Sequence, residues 1–296
     1  MEHVPNFRGW ILFAAMCLVP ACRGTGSGLS ADAGSSGMPA KMQRCGSQMT
    51  LEQYQELLVL SDISDFTDYV DAENRTKRIA EIFAAAKDRR GIFASMYVAI
   101  TQESVGSSHR GAYQDSQLAG ALVLGFARRY LGPLHDYLSD KSVINEWQTY
   151  FTLAEDCAAS DLRILGSGVN THLTFDLPNT VAAIKAPASF EEDFKKFGDI
   201  LIQKKQASTD LLAQQQHVYA ADFFDGFFLG KGIDQLFGKG AAADVGFRAI
   251  RAEAWFNGRN LQDPQLRSAT DHAIHAAWLA RQGILRLVPA SQAPAP

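Results

Sequence analysis

Apolar residues in this chain recur every three or four positions and rarely alternate, a pattern that predicts helices and not strands. Thr50 stands where an N-cap belongs, ahead of the leucine-rich run TLEQYQELLVL. Next, Ile79, Ile82, Phe83 and Ala86, then Phe93, Met96, Tyr97 and Ile100, keep helical spacing, with Gly91 marking a break. Leu118, Leu122, Phe126, Tyr130 and Leu134 form another apolar stripe. The short amphipathic NEWQTYFTLAED follows, then SDLRILGSGVNTHLTFDL, SFEEDFKKFGDILIQKKQASTDLLAQQQ, VGFRAIRAEAWFNGRNLQ and PQLRSATDHAIHAAWLARQGILRLV. About eight helices with short connections predict an all-α, single helical bundle-like domain over residues 47–288. No internal repeat is visible.

The segment 219–246 breaks this pattern with many Phe and Gly residues. It reads either as a loop packed on the core, or as an aromatic flap or lipid-facing surface. The ends differ in character. Arg8 and the apolar run WILFAAMCLVPA have the make-up of an export signal, too short to span a bilayer stably. The run ends in LVPAC, which resembles a bacterial lipobox. That resemblance implies a lipoprotein signal peptide at 1–21 and lipid attachment at Cys22, with acyl chains such as palmitate holding the protein on a membrane. Residues 22–46, rich in Gly, Ser and Ala, predict a flexible linker. Arg23 is not the aspartate of an inner-membrane retention signal, which favours the outer membrane of a cell envelope. Residues 289–296, PASQAPAP, predict a disordered tail.

Composition narrows the function classes. The 296 residues are 47% hydrophobic and include 18 Phe, enough for a well-filled core. A net charge of −4 with no basic patch excludes nucleic acid as an expected partner. Of four cysteines, Cys17 and Cys22 belong to the leader and the lipobox. Cys45 and Cys157 remain, and sequence alone leaves open whether they meet.

The chemistry concentrates in one helix. Leu162, Leu165, Val169, His172 and Asp176 follow each other at three, four, three and four residues, a single stripe whose aliphatic members mark the inward side. His172 and Asp176 then lie one turn apart, about 5–6 Å between Cβ atoms. A buried carboxylate needs a hydrogen bond, a counter-charge or a metal. Asn170 sits on an adjoining face. Pro178, two residues on, predicts an end or kink of the helix. Two structural alternatives stand beside the functional one: Asp176 as the N-cap of a new helix, and His172 as a core histidine bonded to a backbone carbonyl.

LGSGVNTHLTFDLP, with DRRGIF, FARRYLGPL and Trp147 before it and Asp193–Phe194 and RAEAW after it, resembles a bacterial family, domain of unknown function 5995. The resemblance covers most of residues 50–262 and implies an all-helical fold without supplying a reaction. His172-x-x-x-Asp176 is also similar to the ligand pairs of zinc-dependent phospholipase C-like helical proteins. That likeness implies a divalent metal such as zinc on His172 and Asp176, activating water. A third ligand is then required, with Asp193, Glu253, His135, His217 and the pair His272/His275 as candidates. Arg251 can pair with Asp176 or Asp193, and Arg128 and Arg129 can act likewise or receive an anion.

Two functions follow. One is a lipid-anchored envelope protein with a polar pocket, His172 and Asp176 catalytic and Asn170, Asp193, Arg251 and Glu253 binding, working as a metal-dependent hydrolase or a binder of a small molecule or lipid. The other is an envelope scaffold or interaction protein in which the same cluster locks helices together.

Overall fold

Side-chain caps open four of the α-helices in the computed structural model, which describes residues 40–220 and 241–288. Thr50 closes a reciprocal capping box with Gln53 at the start of α1, Leu51–Ser61. Asp68 accepts from the Val70 and Asp71 backbone N–H groups and opens α2, Tyr69–Ala85. Asp88 caps a short 3-10 turn, Arg89–Gly91, which separates α2 from α3, Ile92–His109. Asp115 caps α4, Ser116–Leu138, and Ser160 caps α6, Asp161–Asn170. Between them lies α5, Asn145–Glu155.

After α6 the chain continues through a π-helical segment, Thr171–Asp176, into α7, Leu177–Ala183. Then follow α8, Glu191–Gln203, α9, Lys205–Gln216, α10, Ala241–Asn260, and α11, Arg267–Leu285. There is no strand among the described residues, so the protein is all-α. No helix among them is long and apolar enough to cross a membrane.

The helices outnumber the eight expected because three continuous runs are divided. The 69–109 run breaks at Arg89–Gly91, beside the break expected at Gly91, the 191–216 run breaks at Lys204, and the run through His172 changes to π geometry. α2 packs on α3, α3 on α9, and α10 on α7. The α6–π–α7 rod runs through the middle, with every residue from Ile164 to Thr174 buried. Trp147, Tyr130, Tyr150, Phe93 and Phe151 form an aromatic centre beside it, each almost wholly excluded from solvent.

Ordered structure reaches into the expected linker: Ala40–Gly46 is a 3-10 helix, and Met42 within it is fully buried. Cys45 and Cys157 form a disulfide, closing a loop across 112 positions. The signal peptide, Cys22 and most of the linker lie outside the described residues, as do residues 221–240 of the Phe-rich segment and the tail 289–296.

Candidate functional site, a buried His–Asp pair beneath an apolar cavity

The π segment runs up to Pro178, which has no N–H for the Thr174 carbonyl four residues back and whose ring crowds it in an α-helix. The Leu177 N–H reaches the His172 carbonyl, five residues back, which is π-helical bonding. In this wider turn, residues four apart come closer to eclipsing than they do in an α-helix, so His172 stands nearly over Asp176. π-bulges of this kind occur frequently at functional sites.

His172 Nδ1 lies 2.9 Å from Asp176 Oδ2. The same oxygen accepts the indole N–H of Trp147 at 3.0 Å. Both residues face inward, with 3% of His172 and 0% of Asp176 exposed. The imidazole is stacked on Phe126, ring centroids 3.5 Å apart, and Tyr97 and Phe93 meet it edge-on at 4.7 and 5.1 Å. In the tautomer with its hydrogen on Nδ1 the imidazole donates to Oδ2, beside the bond from Trp147, and Nε2 keeps a lone pair. Nε2 is buried and has no partner, and neither has Asp176 Oδ1.

Burial pushes the two groups towards their uncharged forms. It holds the His172 imidazole well below its ordinary range, helped by the Arg129 charge. It lifts the Asp176 carboxyl well above the usual carboxylate range, against the opposing pull of Arg129 and of the Trp147 hydrogen bond. Arg129 does not touch the pair and donates to the Asn179 carbonyl at 3.1 Å.

His172 forms part of the wall of a cavity of about 90 Å³, among Met96, Tyr97, Phe126, Leu173 and Phe247. Lys205, Ser208, Thr209 and Asp244 supply its polar lining. Lys205 and Asp244 form an ion pair at 3.3 Å and are each more than a third exposed, which sets them at the outer end. The cavity is therefore apolar along most of its wall, with one buried imidazole and a charged lip.

The remaining candidates lie elsewhere. Asn170 donates to the Trp278 carbonyl and accepts from Thr174, tying the rod to α11. Asp193 accepts from the Gln114 and Asp115 backbone N–H groups and so anchors the turn before α4. Arg251 pairs with neither Asp176 nor Asp193 but donates to the Phe194 carbonyl among three Phe rings. Glu253 is bonded to Arg281, which also reaches Thr174. His135 contacts the Leu58 carbonyl and Ser61, and His217 ends α9 with a positive φ of 57°. His272 is held to the Ser268 carbonyl, and His275 to Glu146. Arg128 donates to the Phe66 carbonyl.

None of these reaches the His172–Asp176 pair, and no group of three or more metal-ligating side chains gathers among the described residues. Asp176, expected to share a metal with His172, bonds the His172 Nδ1 instead, and among the described residues no third ligand joins them, so this donor set does not fit a zinc site. Trp147, Phe126 and Tyr97 belong to the site although the sequence marked them only as helix or family positions. Their helical stripes faced inward, but nothing in the chain said which helix they would meet.

No curated protein and no solved structure matches the chain, and the likeness to zinc-dependent phospholipase C has no support of that kind. One family model does match, over residues 71–285, and its span takes in the rod, the aromatic centre and the cavity wall. The chain therefore belongs to a family of unknown function, DUF5995.

Proposed function

We propose that the protein binds a small, largely apolar molecule in the His172 cavity, and that Nε2 accepts a hydrogen bond from its one polar group. The observation that carries this reading is the buried, partnerless Nε2 beside a nitrogen already held by Asp176. A buried acceptor without a donor costs about 1–3 kcal/mol, so packing alone does not account for it. A ligand donor removes that cost. The Asp176 carboxyl on Nδ1 holds the ring in one orientation, with Nε2 turned towards the cavity wall.

Binding is favoured over hydrolysis by the hydroxyls at hand. Ser208 donates to the Lys204 carbonyl and Thr209 to carbonyls of its own helix, so neither stands as a nucleophile for His172. The scaffold reading draws on the ties between the rod and α11, Asn170 with Trp278 and Gln282 with Ser167. Those ties account for the far side of the rod and leave Nε2 without a purpose.

In this reading the domain works in the cell envelope, exported and anchored by lipid at Cys22. The Cys45–Cys157 disulfide supports an oxidising compartment. Labelled palmitate incorporated by the wild type and not by Cys22→Ala tests the anchor.

For the cavity, thermal unfolding with phenol and with toluene is the direct test. The two probes share a ring and differ in one hydroxyl donor. Phenol is expected to raise Tm and to perturb the His172 Nε2 nitrogen resonance, with toluene weaker. In His172→Phe the preference for phenol disappears. Equal effects of the two probes on the wild type, or an unchanged preference in the variant, would refute the reading.

A further inference from the structure

A second cavity, independent of His172, opens between α8 and α10. It has a volume of about 640 Å³, and Phe194, Gly198, Arg251 and Trp255 are among its walls. Arg251 is 3% exposed and lies over the Phe194 ring, 4.3 Å from its centroid. Nη2 donates to the Phe194 carbonyl at 2.9 Å, but Nη1 is buried with no partner. Gly198 permits this placement: a Cβ there would come within 2.5 Å of Arg251 Nε.

Four cations and two acids line the groove, and the acids are committed. Asp199 pairs with Arg248 at 3.0 Å, and Glu191 with Lys195 at 2.9 Å. Arg259 donates to the Ala186 carbonyl and to Gln262. Among the described residues Arg251 forms no ion pair, and its guanidinium lies among the Phe194, Phe197 and Phe247 rings. Burial pulls the guanidinium down to about 10, against Tyr113 and Asp199, and it remains cationic at neutral pH. An uncompensated buried cation is strongly destabilising, and a planar guanidinium suits the paired oxygens of a phosphate or carboxylate. Trp255 and Phe256 stand in the same wall, and Phe256 is 64% exposed.

We propose that this groove is an oxyanion site: Arg251 holds a phosphate or carboxylate group, Arg259 adds a second charge that no acid pairs among the described residues, Arg248 stands beside Asp199 in the same wall, and Trp255 and Phe256 cover an apolar substituent attached to it. Either a free organic phosphate or a lipid headgroup has this chemistry.

The test titrates the full chain with inorganic phosphate, hexyl phosphate and anionic phosphatidylglycerol vesicles, following heat release and tryptophan emission. Hexyl phosphate is expected to bind about tenfold more tightly than inorganic phosphate, with an emission change that is lost in Trp255→Phe. Arg251→Lys, which keeps the charge but not the fork, weakens binding about tenfold. Arg248→Gln, at a half-exposed position that tolerates change, weakens it about threefold. His172→Phe leaves it unaltered, which separates this site from the cavity. Binding of hexyl phosphate in solution identifies a free organic phosphate. Capture by vesicles alone, still lost in Arg251→Lys, identifies a lipid headgroup. Either result supports the site. Absence of binding to every probe, or equal binding by wild type, Arg251→Lys and Arg248→Gln, overturns it.

Discussion

Trp147 donates its indole N–H to Asp176 Oδ2 at 3.0 Å, joining α5 to the π segment through an oxygen that also holds His172. Trp147→Phe removes this donor and leaves a smaller ring in a fully buried place. The expected loss is about 2–4 kcal/mol, part hydrogen bond and part cavity. Urea unfolding measures it. A double-mutant cycle with Asp176→Asn should show about 0.5–3 kcal/mol of coupling, and strict additivity would mean that the bond contributes nothing.

The His172 shift gives the stability a pH signature. Its pKa in the folded protein is lowered by burial, from an ordinary value of 6.5. Below that value the unfolded chain takes up a proton that the folded one refuses, so the wild type loses stability as pH falls. Relative to His172→Phe the loss approaches about 1.4 kcal/mol per pH unit on the acid side. Asp176 acts in the opposite sense. Its raised pKa keeps a proton that the unfolded chain releases above an ordinary 3.8, and its contribution to stability declines as pH rises through that range. Denaturant midpoints from pH 7 to pH 5 provide the comparison, and parallel curves for wild type and His172→Phe would contradict it.

The Cys45–Cys157 bond closes a loop across 112 positions. Chain-entropy arguments assign such a loop about 4–5 kcal/mol. Replacing both cysteines with alanine is expected to lower the denaturant midpoint accordingly, with helical circular dichroism retained in the absence of denaturant. A loss below about 1 kcal/mol would show that the closed loop restrains little.

Gly258 is where α10 presses on α7. A Cβ there would sit 2.5 Å from Val181 Cβ and 2.8 Å from the Pro178 carbonyl oxygen, a backbone atom that cannot swing aside. Gly258→Ala is expected to cost about 1–3 kcal/mol through overpacking. Because α7 continues directly from the π segment, the variant should also weaken phenol binding at His172. Thermal unfolding with and without phenol measures both effects, and full stability would mean that the two helices separate at little cost.

Much of the architecture was legible in the order of residues. A three-and-four apolar period needs no knowledge of partners, because a helix satisfies its own backbone and shows one face to whatever covers it. That is why the helices, the breaks around Gly91 and the inward ridge carrying His172 and Asp176 could be read from local spacing. Only the tertiary structure decided what those inward groups meet. His172 bonds Asp176 directly, Trp147 arrives from 29 positions away, and Asp193 and Arg251 turn to other work. Spacing along a helix places a side chain on a face, but hydrogen-bond partners distant in sequence are chosen by how the helices pack against one another. The π turn itself lies between the two: Pro178 removed a local donor, and the packed surroundings settled whether the rod would end, kink or widen.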